Sequence, residues 1–372
     1  MSEHVKLFIP GPGDVDEDVL AAMAEPVQRH YGPAWVETYA ETQALLKQIF
    51  GTANDLFIVP GPATGVLDMA IGSLLPSGRK IVVGSNGFFG ERLTEIADAH
   101  ALVVVPFDAP PGKPLDPEVL RVVLLHHPEA AVVALIHHET GTTVLNPLRE
   151  LAAVAREAGR VVVVDAVSSL GGAPLPVDAW GVDVCVTAAN KCLEGPPGLG
   201  FISVSPRAWA LVDAHTGVGH GWYLNLRTWR RYAAEWGSWH PTPVTISSNT
   251  VFGVRASLRR IVATGLDAHL AKYARAGKTV RDALSGMGFV PLIPEAYAAP
   301  MVTAFHARPE FPVSEFIAWL LEERKIAISG GLADLAGKIF RVGHLGKAAG
   351  DDYIAEFISA VGDYLRLQGL RA

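Results

Sequence analysis

Cysteine is almost missing from this chain: Cys185 and Cys192 are the two thiols among 372 residues. Two cysteines make neither a disulfide framework nor a four-cysteine zinc site, so neither is expected. Basic runs are scarce too, none exceeding the pairs Arg230–Arg231 and Arg259–Arg260, and the formal net charge is −7. That balance excludes electrostatic capture of nucleic acid. No apolar window is long and charge-free enough to span a bilayer, which excludes a helical membrane protein. The opening MSEHVKLFIP has no basic stretch leading into an apolar core, so no secretory signal is expected. Fixed-period repeats and low-complexity linkers are absent as well. What remains is a soluble protein of a reducing compartment, expected in the cytoplasm.

What is present is apolar material, 49% of the residues. That is enough for a sizeable core and incompatible with disorder. From about residue 55 the chain alternates Val/Ile-rich runs with amphipathic segments. KIVVG (80–84) leads into GERLTEIADAH, ALVVVPFD (101–108) into DPEVLRVVLLHH, and AAVVALIHH (130–138) into PLRELAAVAREAG. RVVVVDAV (160–167) follows, then GVDVCV (181–186). Little polar alternation interrupts these runs, as in a parallel sheet covered on both faces. The pattern predicts a doubly wound α/β fold, a mostly parallel sheet flanked by helices. After residue 256 the texture changes to longer helices and the short strands MVTAF and KIFRVG, closed by DDYIAEFISAVGDYLRL. We therefore expect an N-terminal segment (1–16), a large domain (17–256) and a smaller α+β C-terminal domain (257–372).

Ligands of open parallel sheets sit at the carboxyl ends of the strands. Polar residues there are therefore candidates: Pro60–Gly65, Ser85–Phe89, His137–Thr140, Asp165 and Asn190–Lys191. Asp165 ends four consecutive valines, where a carboxylate is costly unless donors or a cation meet it. It is either the cap of the next turn or the holder of a ligand. Lys191 ends the next strand among Ala188, Ala189 and Gly195. A lysine at a domain edge can snorkel to water, but these small neighbours clear space instead of covering surface. Desolvation there would release the neutral amine that attacks a carbonyl carbon.

Other motifs are read beside their plainer alternatives. VPGPATGVLDMA (59–70) places Ala63 and Thr64 at a strand-to-helix turn suited to a phosphate, although Pro62 removes a donor. GSNGFFGERL (84–93) nearly matches a dinucleotide fingerprint, with Ser85 in place of the first glycine. That keeps an NAD-dependent oxidoreductase as the reading from another class. Of Phe88 and Phe89, one is expected in the core and one free to stack on a flat ring. HHETGTT (137–143) offers hydroxyls, including Thr140. Its His-His pair is a poor chelate, because strand neighbours point to opposite faces, and no metal is expected. Arg341 in KIFRVGHLG alternates against Phe340 and Val342, and so faces either solvent or a substrate carboxylate.

Taken together, VDAVSSLGG (164–172), NKCLEGPPG (190–198) and RVGHLG (341–346) resemble the class V aminotransferases. These are fold-type I enzymes using pyridoxal 5′-phosphate (PLP), and the likeness is nearest to the alanine–glyoxylate and serine–glyoxylate (serine–pyruvate) types. It runs from FIPGPGDV to RVGHLG, nearly the whole chain. It implies a seven-stranded-type sheet in a large PLP-binding domain, and Lys191 as the lysine joined to the cofactor as a Schiff base. It also implies Asp165 on the pyridine nitrogen, with Phe89 and Val167 on the two ring faces and Thr140 at the phenolic oxygen. Ala63 and Thr64 would take the phosphate, with Asn190 where glutamine is common. His240 and Thr242 stand near a Tyr/Thr pair that the family lends to a neighbouring subunit, implying a homodimer with shared sites. Arg341 would bind the substrate carboxylate, with Gly11 and Gly331 lining the pocket. The implied reaction passes an amino group from alanine or serine to glyoxylate or pyruvate by ping-pong kinetics. Pyridoxamine–pyruvate and aminoethylphosphonate–pyruvate exchange are the alternatives within the family.

Overall fold

A computed structural model describes residues 4–215, 221–308 and 311–370; residues 1–3 of the expected N-terminal segment lie outside that range. Seven strands form the main sheet, in the order Asp55–Pro60, Leu199–Val204, Val184–Ala188, Val161–Asp165, Val132–Ile136, Lys80–Ser85 and Val103–Asp108. Leu199–Val204 runs antiparallel to both of its neighbours, and the other pairings are parallel. The fold is thus the expected α/β arrangement around a mostly parallel seven-stranded sheet, with a second, smaller sheet near the C-terminus.

The valine runs explain the layering. Val162 and Val164 enter one core cluster with Val133 and Leu135, while Val161 and Val163 enter another with Val132 and Ala134. Alternate side chains therefore bury on opposite faces, each under its own helices. Burying one such side chain contributes on the order of 1.5–3 kcal/mol, so the β-branched runs contribute strongly to the stability of this sheet. Helix starts follow local chemistry: Asp116 accepts from Glu118 N and Ser205 from Ala208 N, each with proline at the first helical position.

The C-terminal strands Val302–His306, Ile339–Gly343 and Ser329–Gly330 form a three-stranded antiparallel sheet over a third core cluster. The helix Ser248–Thr264 runs through residue 256 and stops at Gly265. Lys6–Leu7 pairs with Ile326–Ala327, Phe8 O accepts from Gly343 N, and Gly13 N donates to Asn190 O. This strap carries Pro10 and Gly11 from the C-terminal sheet to the lysine at the end of Val184–Ala188. Among the described residues no helix is long and apolar enough to cross a membrane.

Candidate active site

The parallel strands converge on a cavity of about 420 Å³ at their carboxyl ends. Asp165 and Lys191 both line it, delivered by neighbouring parallel strands in which Asp165 pairs with Val186. Gly61 to Thr64 form one wall, Phe89 and Val167 contribute apolar surface, and Thr140 and Asn190 add polar groups.

Lys191 is held inside, with Nζ donating to Pro10 O at 2.5 Å. Burial lowers the basicity of its amine and the Arg341 charge acts the same way, while the Asp165 carboxylate opposes both. Gly11 adopts φ 127°, and the Lys191 side chain fills the place a Cβ would need there. Among the described residues Asp165 accepts one hydrogen bond with its side chain, from Val167 N at 2.9 Å. Burial pushes its carboxyl up to about 6, against the Val167 N–H and the charges of Lys191 and Arg92. A buried carboxylate so thinly supported fits a cationic N–H on a ligand. At the other end, Gly65 N bonds back to Pro62 O at the start of the helix Ala63–Leu74. The amides of Ala63 and Thr64 open that helix, and its positive end suits an anion.

His138 lies on the wall between these groups, with Nδ1 bonded to Ser168 O at 3.2 Å. A carbonyl can only accept, so Nδ1 carries the proton and Nε2 is a lone pair. Nε2 is buried without a partner among the described residues. Burial lowers the ring's pKa to about 4, and the Lys191 and Arg341 charges add to this. The histidine is therefore neutral at neutral pH.

Arg341 is 5% exposed and stands behind the wall. Its Nη1 donates to Thr140 O at 3.0 Å and its Nε to Gly330 O at 2.9 Å. Gly331, next to that carbonyl, bonds to Ile339 O. Arg341, Gly11 and Gly331 are thus grouped at the lysine end of the cavity, outside its lining. His240 and Thr242 lie elsewhere in the chain's own fold. His240 packs edge-on against His30 and Trp236, beside the exposed Trp239, and Thr242 Oγ1 donates to Val244 O.

Two expectations need correction. Neither phenylalanine of the 88–89 pair is a core residue: Phe88 is 36% exposed and Phe89 lines the cavity. The dinucleotide reading also fails, because the amides that would meet a pyrophosphate are taken. Phe89 N and Gly90 N both donate to the Glu139 carboxylate. Arg92 and Ser168 line the cavity without having stood among the sequence candidates, while His138 lies in the candidate stretch His137–Thr140. Arg92 sits one helical turn after Phe89 with its guanidinium 4.9 Å from that ring, and only the i,i+3 spacing could have suggested it. Among the described residues no cluster of three or more His, Cys, Asp or Glu could hold a metal ion.

Residues 11–341 match the family described as aminotransferase class-V. An uncharacterized aminotransferase of Methanocaldococcus jannaschii is 34% identical over 340 residues, spanning 91% of this chain and 87% of that protein. A Synechococcus protein named soluble hydrogenase, small subunit is 34% identical over 360 residues, spanning 95% of this chain and 91% of its own length. The crystal structure of alanine–glyoxylate aminotransferase from Nostoc sp. superposes with a TM-score of 0.93 at 29% identity. It covers 98% of this chain and 96% of that one.

Proposed function

The chain belongs to the class-V aminotransferase family, and we propose that its cavity binds PLP for transamination between small amino and oxo acids. The donor is alanine or serine and the acceptor glyoxylate or pyruvate. The observation that carries this reading is the pair of buried, under-compensated groups, Lys191 and Asp165, on one cavity wall. A hydrogenase activity, which one relative's name suggests, would leave that pair without a task.

When bound, PLP supplies an aldehyde for amine exchange and a protonated ring that takes up electrons. Lys191 Nζ, made less basic by burial, offers the lone pair that a carbonyl carbon needs. Nζ would also be the base that takes the proton from the donor's α-carbon and returns it elsewhere. Asp165 would hold a proton on the ring nitrogen. Phe89 and Val167 would pack against the ring, Thr140 and Asn190 would offer polar groups to its edge, and Ala63 and Thr64 would take the phosphate. Arg341 is fixed by two carbonyls, which leaves Nη2 among the described residues for a substrate carboxylate, with Gly11 and Gly331 beside it.

A homodimer belongs to the same proposal, with His240 and Thr242 reaching the neighbouring subunit's phosphate. That neither lines its own cavity, and that Tyr31, Trp222 and Trp239 nearby are exposed, supports it. A cytoplasmic location and the division into residues 1–16, 17–256 and 257–372 are part of the same proposal. The test is spectroscopic. Purified protein given PLP should turn yellow, and its visible band should shift when alanine or serine is added. Lys191→Ala should abolish oxo-acid formation, by roughly a thousandfold or more. Protein that takes up no PLP, or a Lys191→Ala variant that stays active, would overturn the reading. A donor panel with pyridoxamine and 2-aminoethylphosphonate, against glyoxylate and pyruvate, fixes the substrate pair.

A further inference from the structure

Between two residues of this wall, His138 and Thr140, stands a buried carboxylate that among the described residues is held by amides. Glu139 belongs to the short strand His138–Glu139, paired with Val144–Leu145, and its side chain is fully buried. Its Oε2 accepts the amide hydrogens of Phe89 at 2.9 Å and Gly90 at 3.1 Å. Its Oε1 accepts that of Gly141 at 2.8 Å. The first two amides open the helix Phe88–Ala99, where unpaired N–H groups and the helix dipole favour an anion.

Room has been left for this side chain on both sides. A Cβ at Gly87 would stand 2.7 Å from Glu139 Cγ, and one at Gly141 would stand 2.9 Å from Oε1. The same turn is gripped from behind, since Arg341 Nη1 donates to Thr140 O. The Glu139 charge also offsets the burial of that guanidinium. One carboxylate therefore joins the helix that carries Phe89 to the turn that Arg341 holds.

We propose that Glu139 is a positioning residue: it fixes the Phe89 ring over the cavity by clamping the first-turn amides of its helix to the Thr140–Gly141 turn. The proposal rests on the reading that this cavity binds PLP. Only a carboxylate can serve both sides. A glutamine, whichever way its amide is turned, sets an NH₂ group against a backbone N–H donor. Burial raises the Glu139 carboxyl to about 7, and the three amide donors pull against that rise.

The test is a double-mutant cycle on PLP binding, read by visible absorbance and visible circular dichroism. The proteins are wild type, Glu139→Gln, Phe89→Leu and the double variant. Glu139→Gln should weaken PLP binding about tenfold while far-UV dichroism stays that of the wild type, and the double variant should bind no worse than Phe89→Leu, within about twofold. Gly87→Ala crowds the carboxylate without changing any charge. It should reproduce the loss and serves in the cycle if Glu139→Gln does not fold. Glu139→Gln within twofold of wild type, or a double variant losing the product of both single effects, would overturn the proposal. Wild-type protein that takes up no PLP would instead overturn the functional reading beneath it.

Discussion

Asp165, at the end of the strand beside Lys191, and Glu194, in the loop that carries Lys191, are two buried carboxylates treated in opposite ways. Asp165, 8% exposed, has one amide donor, and burial carries its carboxyl up to about 6. Glu194, 2% exposed, is met by Lys272 at 2.5 Å, Tyr273 Oη at 2.8 Å and Arg260 at 3.1 Å. Burial pushes Glu194 up as well, but the Lys272 and His269 charges and the bonds from Lys272 and Tyr273 outweigh it, and its pKa falls. Equal burial thus yields opposite outcomes, and the difference lies in compensation. A fully paired carboxylate staples the structure. A carboxylate left short of partners is one that a ligand completes.

The comparison can be broken most severely at Glu194. Glu194→Gln leaves Arg260 and Lys272 facing a neutral group and should cost about 2–3 kcal/mol of stability, after allowance for the partial exposure of both cations. Denaturant unfolding reads this directly, and an unchanged midpoint would remove the stapling role. Arg341→Ala comes next. It should raise the apparent KM for alanine or serine roughly thirtyfold, a charged hydrogen bond's worth, while the PLP band of the resting protein is kept. An unchanged KM would take Arg341 out of substrate binding.

The smallest effect sharpens the comparison through pH. The folded-state pKa of Asp165 lies above its ordinary 3.8, at about 6. Its contribution to stability is therefore present in acid and lost as pH rises through about 6. In the cofactor-free protein, Asp165→Asn should gain on wild type by about 1–2 kcal/mol between pH 4 and pH 8. Melting temperatures at the two pH values check this, and parallel profiles would contradict it.

One side of this contrast was legible in the amino-acid sequence. Asp165 announces itself because it ends a run of buried valines, and Lys191 because it follows a buried strand among small residues, where a charge has no ordinary reason to stand; nothing in the sequence marked Glu194. The sheet and its two covered faces follow from the same runs. Glu139 is different, because its meaning depends on where the helix Phe88–Ala99 points, about fifty residues earlier in the chain. The contact between Pro10 and Lys191 spans still more sequence, and no local pattern encodes it. Phe88 and Phe89 read alike as letters, yet the helix turns one outward and the other into the cavity. Residues whose role comes from their own strand could be found, and residues whose role comes from a distant backbone amide could not.

The central claim is that Lys191 is the amine that takes the cofactor, and covalent trapping tests it most directly. The PLP-loaded protein is reduced with borohydride, digested, and its peptides are weighed by mass spectrometry. The account predicts a phosphopyridoxyl adduct on Lys191, in the peptide containing ANKCLEGPPG. An adduct confined to another lysine, or none at all, would contradict it.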